Sequence, residues 1–155
     1  MVKRISITGF WNNRRGNSMI ESALLLPLML LMCCGTMDFA RVVYAGISVA
    51  DAARAGVQFG ALSPGNSGNT AGMTQAVLND AADLGASNVT ATSRDFCSCD
   101  NGVTETPCSG TTTCSGSTPE GYVAVTANYT FTPLVPWPGV PQSVVLARTA
   151  KMRVQ

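Results

Sequence analysis

The chain has 155 residues, ten basic and nine acidic, for a net charge of +1, and charged residues make up only 12% of it. That length holds one small domain plus a membrane segment and little more. Histidine is absent, which removes the commonest general base and metal ligand, and no basic stripe follows the first sixteen residues, which argues against a nucleic-acid partner.

The charge is unevenly placed. Lys3, Arg4, Arg14 and Arg15 all precede Gly16, and no acid occurs before Glu21. The rest of the chain carries six basic and nine acidic residues, a net charge of −3. Residues 1–16 therefore read as a short basic leader. No Ala-x-Ala type site closes the apolar run that follows, so the leader is not a standard secretory signal. Ser22 to Met37 is an uncharged run of 16 residues, about 24 Å long as a helix at 1.5 Å per residue. A bilayer core is about 30 Å thick, so the span must recruit flanking residues, and residues 17–37 are the expected transmembrane segment. The basic flank places the N-terminus in the cytoplasm and everything after Met37 outside. Pro27 should kink the span, Gly35 permits close helix approach, and Cys33 and Cys34 read as small apolar packing residues.

Glu21 lies at the mouth of this run, where an ionisable group is unfavourable. Two readings stay open. In one it is an interfacial charge reaching the headgroups beside Arg14 and Arg15. In the other the chain is cut between Gly16 and Asn17, and Glu21 pairs with the freed amine at Asn17, most usefully that of a neighbouring subunit. Either charge left buried alone is strongly unfavourable, so such a pair would favour ordered assembly.

Residues 38–62 read as a helix continuing into the aqueous phase. Asp38 with Arg41, and Asp51 with Arg54, are spaced to pair across one helical turn. Phe39, Val43, Gly46, Ile47, Ala50, Ala53, Val57 and Ala61 recur at three- and four-residue steps on one stripe. The stripe is expected to pack on the protein's own sheet, and packing against the helix of another subunit is the alternative; both can hold on different faces. Ser63 to Asn69 reads as a loop.

Residues 63–155 form the expected soluble α+β module. Met73 to Leu84 reads as an amphipathic helix, with Met73, Ala76, Val77, Ala81 and Leu84 on its apolar stripe, Gly85 as its stop, and Asp80 and Asp83 facing solvent. Three strands are predicted, at Asn88–Cys97, Tyr122–Thr132 and Val144–Val154. The second alternates most clearly, with Val123, Val125, Ala127, Tyr129 and Phe131 on one face. Arg148 interrupts the apolar face of the third. Between the last two strands, four prolines in Pro133 to Pro141 fix a stiff extended loop. Trp137 in that loop either plugs the open end of the module or touches headgroups or a partner. The expected fold is a long helix beside three antiparallel strands.

Cys97, Cys99, Cys108 and Cys114 crowd a Gly-, Ser- and Thr-rich loop between the first two strands. Their number and polar setting fit disulfides in an oxidising compartment. Of the three possible connectivities, the nested one, Cys97 with Cys114 and Cys99 with Cys108, suits a hairpin best. A zinc site lacks the paired two-residue spacings, and a redox site lacks the same spacing at a helix start. Asp95, Asp100 and Glu105 lie nearby but in no calcium-loop motif.

Gly16 followed by Glu21 and a long apolar segment resembles the class III signal of type IV prepilins and pseudopilins. The wider pattern resembles the TadE-like family of tight-adherence (Flp) pilus assembly proteins. The matching residues are Arg15-Gly16, Ile20-Glu21-Ser22-Ala23, Leu26-Pro27-Leu28, Gly35, Asp38-Phe39-Ala40-Arg41 and Ala52-Ala53-Arg54-Ala55-Gly56, and the likeness covers residues 14–60 best. Ser22 stands where Flp major pilins tend to carry tyrosine, and the chain is far longer than a major pilin. Both departures favour a minor pseudopilin-like component.

The resemblance implies a bacterial inner-membrane protein of one pass, its module periplasmic or carried outside within a pilus. It implies cleavage by a prepilin peptidase, and partners among other pilus or pseudopilin subunits, the inner-membrane assembly platform and the lipid bilayer. The expected role is assembly of a tight-adherence pilus, by subunit packing after leader cleavage. The alternative is a membrane-anchored binding module or adhesin without leader processing, using the cysteine loop or the Trp137 loop. An enzyme is not expected, since no nucleophile stands with a base and no carboxylate pair sits in a recognisable frame. No cofactor or metal is expected.

Overall fold

Hydrogen bonding carries one α-helix, α1, from Asn17 to Ala61, a length of 45 residues with Pro27 inside it. The computed structural model describes residues 17–108, 114, 118–136 and 139–155. These form two compact units that divide between Phe39 and Ala40. The first is the N-terminal part of α1.

The second unit is α+β. After α1 come a single helical turn, α2 (Pro64–Ser67), and the helix α3 (Thr70–Asp80). Short 3-10 turns at Ala82–Leu84 and Ala86–Asn88 lead to three strands, β1 (Val89–Ser98), β2 (Glu120–Phe131) and β3 (Val144–Arg153). The strands form one antiparallel sheet in the order β1-β2-β3. All three strands are those read from the alternation, with ends shifted by no more than two residues. The segment expected as a plain loop, Ser63 to Asn69, contains α2, because Pro64 at its first position is already held at a helical φ. The next helix begins three residues earlier than the apolar stripe suggested. The Asn69 side chain caps it, accepting from the Gly72 N–H at 2.9 Å.

One face of the sheet carries the core. Val49, Ala52, Ala53, Val57 and Ala61 of α1 meet Met73, Val77 and Ala81 around α3, and Val89, Val123, Val125 and Ala127 from the strands. Burying each of the larger side chains fully is worth roughly 1.5–3 kcal/mol. The face that α1 turns inward is one of small residues. A Cβ on Gly56 would lie 2.7 Å from Val77 Cγ2 and 3.0 Å from Val125 Cγ1, so α3 and β2 both press against bare backbone there. At Gly60 the Met73 sulfur takes the same space.

The expected stripe on α1 is therefore correct only in its second half. Ala53, Val57 and Ala61 are buried, but Phe39, Val43 and Ile47 are 69%, 45% and 58% exposed, and Ala45, Val49 and Ala52 are buried in the second unit instead. Apolar size favoured the larger side chains, whereas the close approach of α3 and β2 selects alanine and glycine.

Asp83 is exposed, as expected, and it also accepts from the Tyr44 hydroxyl at 2.6 Å and the Ser48 hydroxyl at 3.3 Å, tying the turn after α3 to α1. That bond raises the Tyr44 pKa. Asp51 and Arg54 form their i,i+3 pair at 2.8 Å on an exposed face, where such a pair contributes little.

The close approach can be tested on two glycines of α1. Gly56→Ala should be net destabilising, because overpacking of about 1–3 kcal/mol exceeds alanine's helix-propensity gain of roughly 1 kcal/mol. Gly46→Ala, whose Cβ would meet nothing within 4 Å, should gain about 0.5–1 kcal/mol. Urea unfolding of the full chain in detergent micelles reads both, and equal stabilities would remove the contact as the organising one.

Candidate functional site

Two regions carry the residues singled out in the sequence: the start of α1 and the cysteine loop. Gly16 lies outside the described residues. Asn17 is the first described residue of α1, and Glu21 follows one turn later with its side chain exposed. From Leu24 to Met32 every leucine and methionine is more than half exposed, as is Met37. The hydroxyls within and beside the run are satisfied by their own helix. Ser22 donates to the Ser18 carbonyl and Thr36 to the Cys33 carbonyl, both at 2.9 Å, which removes their cost in an apolar medium. Among the described residues this is the one helix long and apolar enough to cross a membrane, by length and composition. Cys33 and Cys34 are free thiols on exposed surface.

The cysteine loop folds over the second face of the sheet, at the end where β1 stops and β2 begins. Its disulfides are Cys97–Cys108 and Cys99–Cys114, with Cα separations of 4.9 and 5.6 Å. The pairing interlaces, and the nested expectation is corrected. The cause is the tightness of the turn after β1. Ser98, itself buried, donates to Asp100 Oδ1 at 2.6 Å and accepts from the Gly102 N–H at 3.0 Å. Asp100 in turn accepts from the Thr104 N–H at 2.8 Å and the Thr104 hydroxyl at 2.5 Å. Asn101 and Gly102 turn through positive φ, and a Cβ on Gly102 would reach 3.2 Å from the Tyr122 ring. The chain thus returns quickly, and Thr106 exchanges two backbone bonds with Cys97 at 2.8 and 2.9 Å. Cys108, two residues on, is left beside Cys97, and Cys99 is left for Cys114.

Beneath the turn lies a second, smaller core of Phe96, Tyr122 and Ala124. The two rings stack at 5.5 Å between centroids, and Lys151 Nζ stands 5.5 Å above Phe96. Glu105 fixes the loop across the sheet. Arg94, Ala124 and Lys151 occupy one register row over the three strands. Glu105 accepts from Arg94 Nε at 3.1 Å and Nη2 at 3.0 Å, and pairs with Lys151 Nζ at 2.6 Å. Lys151 first, and then Arg94, hold its carboxyl below the usual range. Nothing in the sequence pointed to this clip, because its three residues are far apart and each reads alone as a surface charge. Of the three acids noted near the cysteines, Asp100 and Glu105 are thus engaged in holding the loop, and Asp95 lies within β1 opposite Val123. Among the described residues no group of three or more histidines, cysteines or acids is placed to hold a metal. Trp137 lies outside the described residues.

The Asp100 network sets a pH window. The Ser98 hydroxyl, then the Thr104 hydroxyl and N–H, lower the Asp100 pKa to about 2 from an ordinary 3.8. A carboxyl depressed in the folded state contributes stability that is fully present above its unfolded pKa and is lost as pH falls through the folded value. Amide exchange at Gly102 and Thr104 should therefore stay slow from neutral pH down to about pH 4 and lose protection towards pH 2, with intrinsic rates corrected. Asp100→Asn should show the loss already at pH 7, and unchanged protection in that variant would refute the network.

No curated protein and no solved structure matches the chain. The family model described as TadE-like protein matches residues 16–58, running through the membrane-length run into the small-residue face of α1. From Gly16 to Gln58 the chain is similar to TadE-like proteins.

Proposed function

We propose that the protein is a minor pseudopilin-like subunit in the assembly of a tight-adherence pilus, held by one membrane span with its α+β unit on the outer side. The observation that carries the reading is that the TadE-like match, from residue 16 to residue 58, runs along the exposed apolar part of α1. Cleavage between Gly16 and Asn17 by a prepilin peptidase would place a free amine at the first residue of a helix that carries Glu21 one turn later. Lipid covers the apolar surface before assembly, and neighbouring helices cover it afterwards. Glu21 offers each incoming amine a partner, so that register is set by a charge pair that is costly to leave open.

A feature of the second unit supports subunit packing. Val43, Gly46, Ile47 and Ala50 of α1 line an open groove with Leu146 and Arg148 of β3. This is the part of the sequence stripe that the protein's own core does not use. An exposed apolar face beside the buried one gives α1 two packing surfaces, one for its own sheet and one for a neighbour.

N-terminal sequencing of the protein recovered from cells tests the reading. The expected first residue is Asn17, and an intact Met1 would overturn cleavage and favour a membrane-anchored binding module. Glu21→Ala should leave cleavage intact and abolish or strongly reduce piliation. Normal piliation in that variant would reduce Glu21 to an interfacial charge.

A further inference from the structure

The sheet ends at β3, and that edge is bare. The Val154 N–H bonds to the Gly121 carbonyl at 2.8 Å. Bonded pairs alternate along an antiparallel ladder, so Val144, Leu146, Arg148, Ala150 and Met152 bond inward to β2 in the observed register. Val145, Ala147, Thr149, Lys151 and Arg153 turn their N–H and carbonyl groups outward. Among the described residues no backbone group bonds to that edge. The opposite edge of the sheet is partly closed, since Thr106 pairs with Cys97 there. A bare edge is a template for another strand. Beside it, within the second unit, Val43, Gly46, Ile47 and Ala50 of α1 and Leu146 and Arg148 of β3 line an open groove of about 550 Å³.

One charge in this groove is unmatched. Asp51 and Arg54, also on its wall, neutralise each other. On β3, Lys151 and Arg153 pair with Glu105 and Glu120. Arg148 has no acid beside it among the described residues. Its guanidinium donates instead to the Ala147 carbonyl at 3.0 Å, one of the acceptors that the bare edge leaves open. Arg148 is the register partner of buried Ala127, so it lies on the face of the sheet that carries the core. A strand added to β3 sets every second side chain on that same face, against Leu146, Arg148 and Ala150. The position facing Arg148 calls for an acid. The positions two residues to either side call for apolar side chains, which Val43 and Ile47 help to cover. The β3 of a second copy fits poorly, because it carries three cations and no acid and would bring like charges together.

We infer that the groove between α1 and β3 takes an extended segment of a partner protein as a fourth strand, with an apolar–x–acid–x–apolar sequence whose acid meets Arg148. Backbone bonds to the β3 edge supply affinity, and Arg148 with the apolar walls selects the sequence. The acid takes over the Arg148 guanidinium and frees the Ala147 carbonyl for an incoming N–H. The inference rests on the reading of this groove as a subunit contact and names what fills it. It needs neither leader cleavage nor a membrane span.

The test uses the full chain in detergent micelles and an acetylated, amidated peptide, Thr-Val-Thr-Glu-Thr-Val-Thr, at millimolar concentration. Amide exchange is followed by NMR. The peptide is expected to slow exchange severalfold at Val145, Ala147 and Thr149 and to leave Leu146 and Arg148, already bonded to β2, unchanged. Replacing the peptide's glutamate with lysine should weaken binding about threefold or more, and Arg148→Glu in the protein should reverse that preference. No slowing along the β3 edge, or equal slowing by both peptides, would overturn the strand site. So would slowing that grows with protein concentration in the absence of peptide, which would assign the edge to a second copy. None of these results bears on Asn17 as the first residue of the mature protein or on piliation by Glu21→Ala, so the strand site can fail while the pilus reading stands.

Discussion

The second unit depends on how closely α1 can approach what covers it. Gly56 and Gly60 present backbone where a side chain would collide with Val77, Val125 and Met73. Around them Ala52, Ala53 and Ala61 keep the face shallow. A small core of this kind has few large side chains, so it relies on fit more than on area. The choice also frees the larger apolar residues of α1. Val43 and Ile47 remain on the outside, where a helix built only to serve its own core would carry polar residues. The same helix is thus shaped for intimacy on one side and for company on another.

The outer face of the sheet is held by different means. It has a core of three residues, too little to order a loop rich in glycine, serine and threonine. Covalent bonds and ion pairs supply what burial does not. Cross-linking a loop of about 15 residues is worth on the order of 3 kcal/mol by chain entropy, and Glu105 adds a fastening that spans all three strands through Arg94 and Lys151. Half-exposed pairs of this kind contribute modestly one by one. Here they act on a segment already confined by Cys97 and Cys99, and they decide where it rests.

What was legible in the sequence follows from range. The strands announced themselves through alternation, since Val123, Val125, Ala127, Tyr129 and Phe131 encode their own face. The membrane run and the residues around Gly16 and Glu21 are read from composition and order alone, and the family match covers the same stretch. Three-dimensional choices were less legible. Periodicity placed an apolar stripe on α1 but could not say that a face of alanine and glycine would win over one with Val43 and Ile47. The counting of cysteines gave the bridges but not their crossing, because the crossing depends on a turn made by Ser98, Asp100 and Thr104. Tyr44 and Asp83, 39 residues apart, each looked like an ordinary surface residue until α1 and the turn after α3 met.

The interlaced bridges divide the cysteine loop into two parts with unequal freedom to change over evolution. From Ser98 to Thr106 every step is committed to a hydrogen bond, a positive φ or the bridge to Cys97, so an inserted residue would displace Cys108 from its partner. Beyond Cys108 the second bridge closes Cys114 onto Cys99. Closing a longer loop is cheap, at about 0.6 kcal/mol for each doubling of length. New sequence, and with it a new binding specificity, could therefore be grafted into that interval while the clip, the small outer core and the sheet stay as they are.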